Sequence, residues 1–308
     1  MAEILQTVLP EDVRSEICRS VSPKEIKASM FAINGDKSPS LDGFTAHFYK
    51  HAWAIVGNDV VNAILDYFQT SKMIPAFNAT SVALVPKCPN PTQMKDYRPI
   101  SCCSIIYKCI TRILATRMKK LMPFLVSPSQ SAFVVGRSIT DNVLLAQELV
   151  RGYNRTSLSP RCCIKIDIQK AFDTLDWGFL LGVLEGMKFP FVFIRWIRGC
   201  ITTSRFFISI NGSLVGFYKR ERGVCQGDPL SPYLFVIAMT VLSRMLDVAA
   251  SYGVFSFHPK CKKLELTHLC FADDLLIFSK RNLESLIGVQ NVMQQFYLFS
   301  GLKLNNAK

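Results

Sequence analysis

Two apolar runs in this chain carry carboxylates where carboxylates are costly, and this limits what the chain can fold into. In CCIKIDI, residues 162–168, the side chains of Cys163, Ile164, Ile166 and Ile168 read as a strand, with Asp167 near its end. In THLCFADDLLIF, residues 267–278, Asp273 and Asp274 sit in a short break between two strand-like runs, which predicts a β-hairpin. A hairpin turn accepts Asp, because the side chain can bond nearby amides, so this pair suits a solvated turn as well as a site. Asp167 is harder to explain structurally, since an acid inside an apolar strand needs a partner or a metal. Two strands delivering Asp167, Asp273 and Asp274 to one sheet edge would build a divalent-metal site. Oxygen-only ligands suit Mg²⁺, with Mn²⁺ as a substitute. Two such ions roughly 4 Å apart can stabilise the attacking and leaving oxygens of phosphoryl transfer.

Charge points the same way. The 308 residues include 36 Lys plus Arg against 23 acidic residues, a net charge of +13. That surplus suits a polyanion, most commonly nucleic acid, although a merely basic protein would show it too. Hydrophobic residues make up 49%, which excludes a disordered chain and supports a large core. The 11 cysteines include adjacent pairs at 102–103 and 162–163, and no CxxC or zinc spacing occurs. They read as small hydrophobes in a reducing compartment. The first residues lack the pattern of a signal peptide, and apolar runs such as YLFVIAMTVL are too short to span a bilayer. The expectation is a soluble, intracellular protein with no membrane contact and no obligate protein partner.

Along the chain, Ser22 and Glu25 form a capping-box pattern over a helix at residues 22–33. A turn-rich loop, residues 34–44, precedes a helical segment through residues 45–70. Residues 81–87 predict a strand, residues 95–103 its partner or an adjoining loop, and residues 104–125 a helix with Arg112, Arg117, Lys119 and Lys120 on its polar side. Residues 171–187 read as one helix, with Asp173 and Asp176 in its first turn. Asn211-Gly212 is a type I′ hairpin signal, and Pro229 stands near the start of an apolar helix.

Eight motifs occur in order: KSPSLDGF (37–44), VALVPK (82–87), DYRPISCC (96–103), QSAFVVGRSITDNVL (130–144), KIDIQKAFDTLDW (165–177), RGVCQGDPLSPYLF (222–235), FADD (271–274) and SGLKLNNAK (300–308). With these the chain resembles the reverse transcriptase domain of plant non-LTR (LINE-type) retrotransposons, from about Val21 to its last residue. The resemblance implies an α+β right-hand polymerase, with fingers and a palm whose antiparallel sheet packs on helices. Its domains would be an N-terminal helical extension (1–70), a fingers-like region (71–160) and a palm (161–308) that stops before the thumb.

The resemblance also implies roles. Asp167, Asp273, Asp274 and the main-chain carbonyl of Ile168 would hold two Mg²⁺ ions. Phe172 would be the steric gate that excludes a ribose 2′-hydroxyl; without the motif it reads as a core aromatic. Gln226 and Gly227 would line the incoming nucleotide, which a glycine lets the backbone approach closely. Lys87 and Arg98 would grip the triphosphate, as an ammonium and a planar guanidinium can. Gln130 to Arg137 would touch the template strand, and Lys308 would protonate the leaving pyrophosphate. The implied partners are an RNA template, a DNA primer and dNTPs. Ser40-Leu41, Val135 and Cys225 stand where the family generally has Gly-Pro, Pro and Arg. Two other readings remain open, a catalytically silent nucleic-acid-binding remnant and a maturase-like splicing cofactor.

Overall fold

Ser22 starts a helix as its spacing predicts: its hydroxyl accepts the amide of Glu25 (3.2 Å), with Pro23 as the first helical residue. The Glu25 carboxylate does not reciprocate but pairs with Arg117 at 2.9 Å. In the computed structural model, which describes residues 8–153, 159–210 and 212–305, the chain order is as follows. Helices α1 (Glu11–Ile17), α2 (Pro23–Phe31), α3 (Ala46–His51) and α4 (Trp53–Thr70) lead into strands β1 (Ala79–Pro86) and β2 (Tyr97–Cys102). Helices α5 (Ile105–Lys119), α6 (Met122–Leu125) and α7 (Ile139–Val150) precede β3 (Arg161–Ile166). Then come α8 (Ala171–Thr174), α9 (Trp177–Gly186), α10 (Phe191–Thr202), β4 (Arg205–Ile210), β5 (Ser213–Lys219), α11 (Ser231–Ser251), β6 (His268–Phe271), β7 (Asp274–Lys280) and α12 (Leu283–Ser300).

The chain divides into two compact units that it visits alternately. One comprises Pro10–Met118 and Phe189–Ser231, the other Met1–Leu9, Lys119–Lys188 and Pro232–Lys308. A cut by consecutive residue ranges and a cut by packing are therefore different cuts. The first unit holds the mixed sheet β2-β1-β4-β5, in which β1 pairs antiparallel with β2 and parallel with β4. Behind it Phe68 of α4 meets Trp196 of α10 edge to face at 5.0 Å. Arg117, expected on a polar helix face, is instead 5% exposed. Its guanidinium bonds Glu25 and the carbonyls of Ile17 and Arg19, so a buried charge is fully paired.

The second unit holds the antiparallel sheet β3-β7-β6. Leu275, Ile277 and Phe278 are fully buried, each stabilising the fold by about 1.5–3 kcal/mol. On α12 and α9, Phe296 and Phe179 pack edge to face at 5.9 Å. The apolar run expected to be too short for a membrane belongs to α11, whose 21 residues are long and apolar enough to cross one. Yet 72% of its most apolar window is buried within the protein, as in a core helix. All eleven cysteines are free thiols, six of them buried, at Cys103, Cys109, Cys200, Cys225, Cys261 and Cys270. The expected Asn211-Gly212 hairpin joins β4 to β5, with Ile210 opposite Ser213 and Gly212 at φ 81°; Asn211 itself lies outside the described residues.

The second unit also contains a pH-sensitive pair of histidines. His268 is fully buried, its ring between Thr267 Oγ1 (2.6 Å) and Ser243 Oγ (2.9 Å), and burial pushes its pKa down to about 4. His258, hydrogen-bonded to Tyr153, is pushed down to about 4 by burial and by the charges of Arg161 and Lys260. Below its ordinary value near 6.5 the unfolded chain takes up protons that the native rings refuse, so stability falls as pH drops toward 4. His268 alone should remove about 2 kcal/mol between pH 7 and pH 5. Urea titrations at the two pH values should show it. His268→Leu should flatten that pH dependence, whatever it does to the midpoint at pH 7; an unchanged slope would mean the ring is protonated in the fold.

Candidate active site

The register of the second unit's sheet assembles the acids. Ile166 of β3 pairs with Leu275 of β7, and both point into the core. Asp167 directly follows this pair on one strand and Asp274 directly precedes it on the other, so both acids lie at the same end of the sheet, Asp167 half-buried and Asp274 exposed. Phe271 and Asp274 close the hairpin, leaving Ala272-Asp273 as its two-residue turn. The Asp273 carboxyl is raised above the usual carboxylate range, first by burial and then by the charges of Asp274 and Asp167, against its own amide. The three acids therefore share one electrostatic neighbourhood.

Asp167 is anchored by Asn305, a residue to which the sequence reading gave no role. Asn305 donates its side-chain amide to Asp167 Oδ2 (2.7 Å) and its backbone amide to the Asp167 carbonyl (2.9 Å). Ile168 bridges Leu304, and Gln169 donates to the Lys303 carbonyl. SGLKLNNAK was thus legible as a motif but not as a strap along the acid strand. Lys308 lies outside the described residues.

Phe172 lies in α8, its ring stacked on Phe235 at 4.9 Å. The expected single helix over 171–187 is two. Asp176 caps the second, accepting the Phe179 amide at 2.7 Å, so it serves as an N-cap and not as a first-turn acid. Gln130 and Arg137, expected against a template, turn to the protein's own backbone. Gln130 is 2% exposed and its amide bonds Ala132 and Ala272. The Arg137 guanidinium meets the carbonyls of Ser127, Gln130, Pro123 and Val126.

The first unit gathers the remaining candidates. Val85 pairs with Arg98 across β1 and β2, and just past the strand the Lys87 amide bonds the Asp96 carbonyl (2.7 Å). Both cationic side chains are exposed, and the Lys87 ammonium reaches the Lys95 carbonyl at 2.8 Å. Further along β2, Ser101 donates to the Gln226 carbonyl (2.9 Å). Gly227 follows at φ 102°, and a Cβ there would sit 3.3 Å from the Ser101 carbonyl oxygen, so glycine is needed for both backbone angle and space. Asp228 then caps α11: its Oδ2 accepts the amides of Leu230 and Ser231, and burial raises its carboxyl. Pro229 precedes the helix by two residues, near its start as expected.

Residues 85–308 match the family described as "Reverse transcriptase (RNA-dependent DNA polymerase)". The chain belongs to that family. Over 301 residues, 98% of this chain, it is 27% identical to the "Transposon TX1 uncharacterized 149 kDa protein" of Xenopus laevis, covering 23% of that protein. It is also 27% identical over 299 residues, 94% of the chain, to the "Retrovirus-related Pol polyprotein from type-2 retrotransposable element R2DM" of Drosophila melanogaster, covering 26% of it. These relatives come from non-LTR retrotransposons, and the chain spans about a quarter of their length. Among solved structures, apo telomerase from Candida tropicalis shares the fold at a TM-score of 0.51 and 15% identity, over 88% of this chain and 57% of that one. The α+β architecture, an antiparallel sheet packed on helices, is thus that of a reverse transcriptase. FADD and KIDIQKAFDTLDW both fall within the matched residues.

Reverse transcriptases generally use divalent metal ions. The carboxylates of this member fit such ions in kind: they are hard oxygen donors, and their mutual repulsion at Asp273 is what a dication relieves. Among the described residues, no three His, Cys, Asp or Glu side chains are drawn up around a metal position, and Asn305 holds one Asp167 oxygen instead.

Proposed function

We propose that this chain is the fingers and palm of an RNA-directed DNA polymerase, from a non-LTR retrotransposon of plant type. Its reaction would be the attack of a DNA primer 3′-hydroxyl on the α-phosphate of a dNTP along an RNA template. The palm corresponds to the unit with β3, β6 and β7, and the fingers to the unit with β1 and β2. The observation that carries this reading is the shared electrostatic neighbourhood of Asp167, Asp273 and Asp274 at one end of the β3-β7-β6 sheet. A module that only bound nucleic acid would gain nothing from acids that repel phosphate.

In this reading Asp167 and Asp273 are the main ligands of two Mg²⁺ ions, with Asp274 and the Ile168 carbonyl completing the set. When bound, two such ions supply charge to the attacking and leaving oxygens of phosphoryl transfer. Lys87 and Arg98 neutralise the triphosphate as pyrophosphate departs. Gln226 and Gly227 line the nucleotide, and Phe172 crowds the place of a 2′-hydroxyl. The surplus of basic residues holds primer and template by their phosphates, so binding weakens as salt rises.

The test is extension of a DNA primer on an RNA template by purified protein with Mg²⁺, in low salt. Extension that stops on chelation and depends on dNTPs is the expected result. Tight primer–template binding with no extension would instead identify a binding remnant.

A further inference from the structure

The turn that presents Asp273 is held in an unusual backbone by one side chain from 142 residues earlier. Ala272 adopts φ 54°, a left-handed conformation that residues with a Cβ rarely take. Hairpin turns that need a positive φ usually place Gly or Asn there. Here Gln130 grips the peptide groups on both sides of Ala272. Its Oε1 accepts the Ala272 amide (3.0 Å) and its Nε2 donates to the Ala272 carbonyl (3.3 Å), while Oε1 also accepts the Ala132 amide (2.9 Å). The Ala272 carbonyl belongs to the peptide that continues into Asp273, so the amide of Gln130 sets the plane from which that carboxylate departs.

Gln130 is itself immobilised. Its carbonyl accepts Arg137 Nη1 (2.7 Å), and the same guanidinium ties down Ser127 and Val126. On either side, Ser129 accepts the Cys270 amide and Ser131 donates to the Cys270 carbonyl, so residues 129–131 lie along the edge of β6. Gln130, Ser131 and Arg137 of QSAFVVGRSITDNVL thus brace the acid turn, and both the oxygen and the nitrogen of the Gln130 side-chain amide bond the protein's own backbone.

We infer that Gln130, backed by Arg137, is a positioning residue that fixes the Ala272-Asp273 turn, and not a template contact. This rests on the reading of Asp273 as a carboxylate of the polymerase centre. A misplacement of the order of 1 Å in such a group costs roughly a hundredfold in rate, and loss of an orienting partner roughly tenfold to a hundredfold.

The experiment compares the wild type with Gln130→Ala, Gln130→Glu and Asn142→Ala. Four quantities are read: kcat and dNTP KM for single-nucleotide addition, primer–template Kd without turnover, Tm, and hydrogen exchange of the Ala272 amide. For Gln130→Ala, kcat should fall about tenfold to a hundredfold, with KM and Kd within about twofold and Ala272 exchange accelerated. Gln130→Glu keeps the acceptor oxygen and should retain an intermediate kcat and part of the protection. Asn142→Ala removes a neighbouring bond to the Cys270 carbonyl; it should lower Tm comparably yet leave kcat within about twofold. An effect confined to Kd or KM, an unchanged kcat, or a kcat that follows Tm across all variants would overturn the inference. If the wild type itself fails to extend primers, the polymerase reading falls. The brace would still stand or fall on whether Gln130→Ala deprotects the Ala272 amide.

Discussion

Asp273→Asn should reduce primer extension by roughly a thousandfold or more, about 4 kcal/mol of barrier, with primer–template affinity held or improved. Asp167→Asn should behave alike, since both acids lie at one end of the β3-β7-β6 sheet. The stability of the two variants separates chemistry from folding. In the fold the Asp273 carboxyl is raised by burial and by the charges of Asp274 and Asp167, so its ionised form is disfavoured there. Removing that charge in chelator-treated buffer should raise Tm at neutral pH. The gain should vanish as pH falls toward the ordinary carboxylate value of about 3.9, where the unfolded chain is protonated too. A rate within a few-fold of the parent, with either variant, would remove these carboxylates from the reaction.

Phe172→Ala should raise ribonucleotide use relative to deoxynucleotide use by roughly tenfold to a hundredfold, because a hydroxyl-sized space opens where a ring had crowded it. Competitive incorporation of matched rNTP and dNTP measures this directly. The ring also stacks on Phe235 of α11, so truncation costs stability, on the order of a few kcal/mol for a well-packed aromatic. Phe172→Leu retains most of the packing and separates the two effects: it should relax selection partly while Tm stays near the parent. An unchanged preference in both variants, with activity retained, would return Phe172 to core packing alone.

Local chemistry left clear marks in this chain. The Ser22 cap, the Asn211-Gly212 hairpin and the FADD hairpin were readable because each depends on residues within a few positions of one another. Asp167 stood out for the same reason, as an acid beside Ile164, Ile166 and Ile168. Where two local signals competed, reading by pattern failed. Residues 171–187 have an unbroken helical look, yet Asp176 turns from helix acid to N-cap and splits the segment. The run YLFVIAMTVL looked short because its helix continues through Ser243, Arg244 and Asp247, which apolar counting excludes.

By itself, then, the sequence determined the Ser22 cap, the two hairpins and the strand that carries Asp167 at its end. Tertiary structure alone decided what the polar side chains do. A glutamine or arginine in a loop has the same composition whether it meets solvent, a ligand or the protein's own carbonyls. Gln130 and Arg137 turned inward because Ala272 and residues 123–130 expose backbone groups that buried structure must satisfy. Arg117 did so beside Glu25, and Asn305 found Asp167 from 138 residues away. The parallel pairing of β1 with β4 is likewise written in no local window. Such bonds depend on which distant backbone groups packing leaves unpaired, and that is known only once the chain has folded.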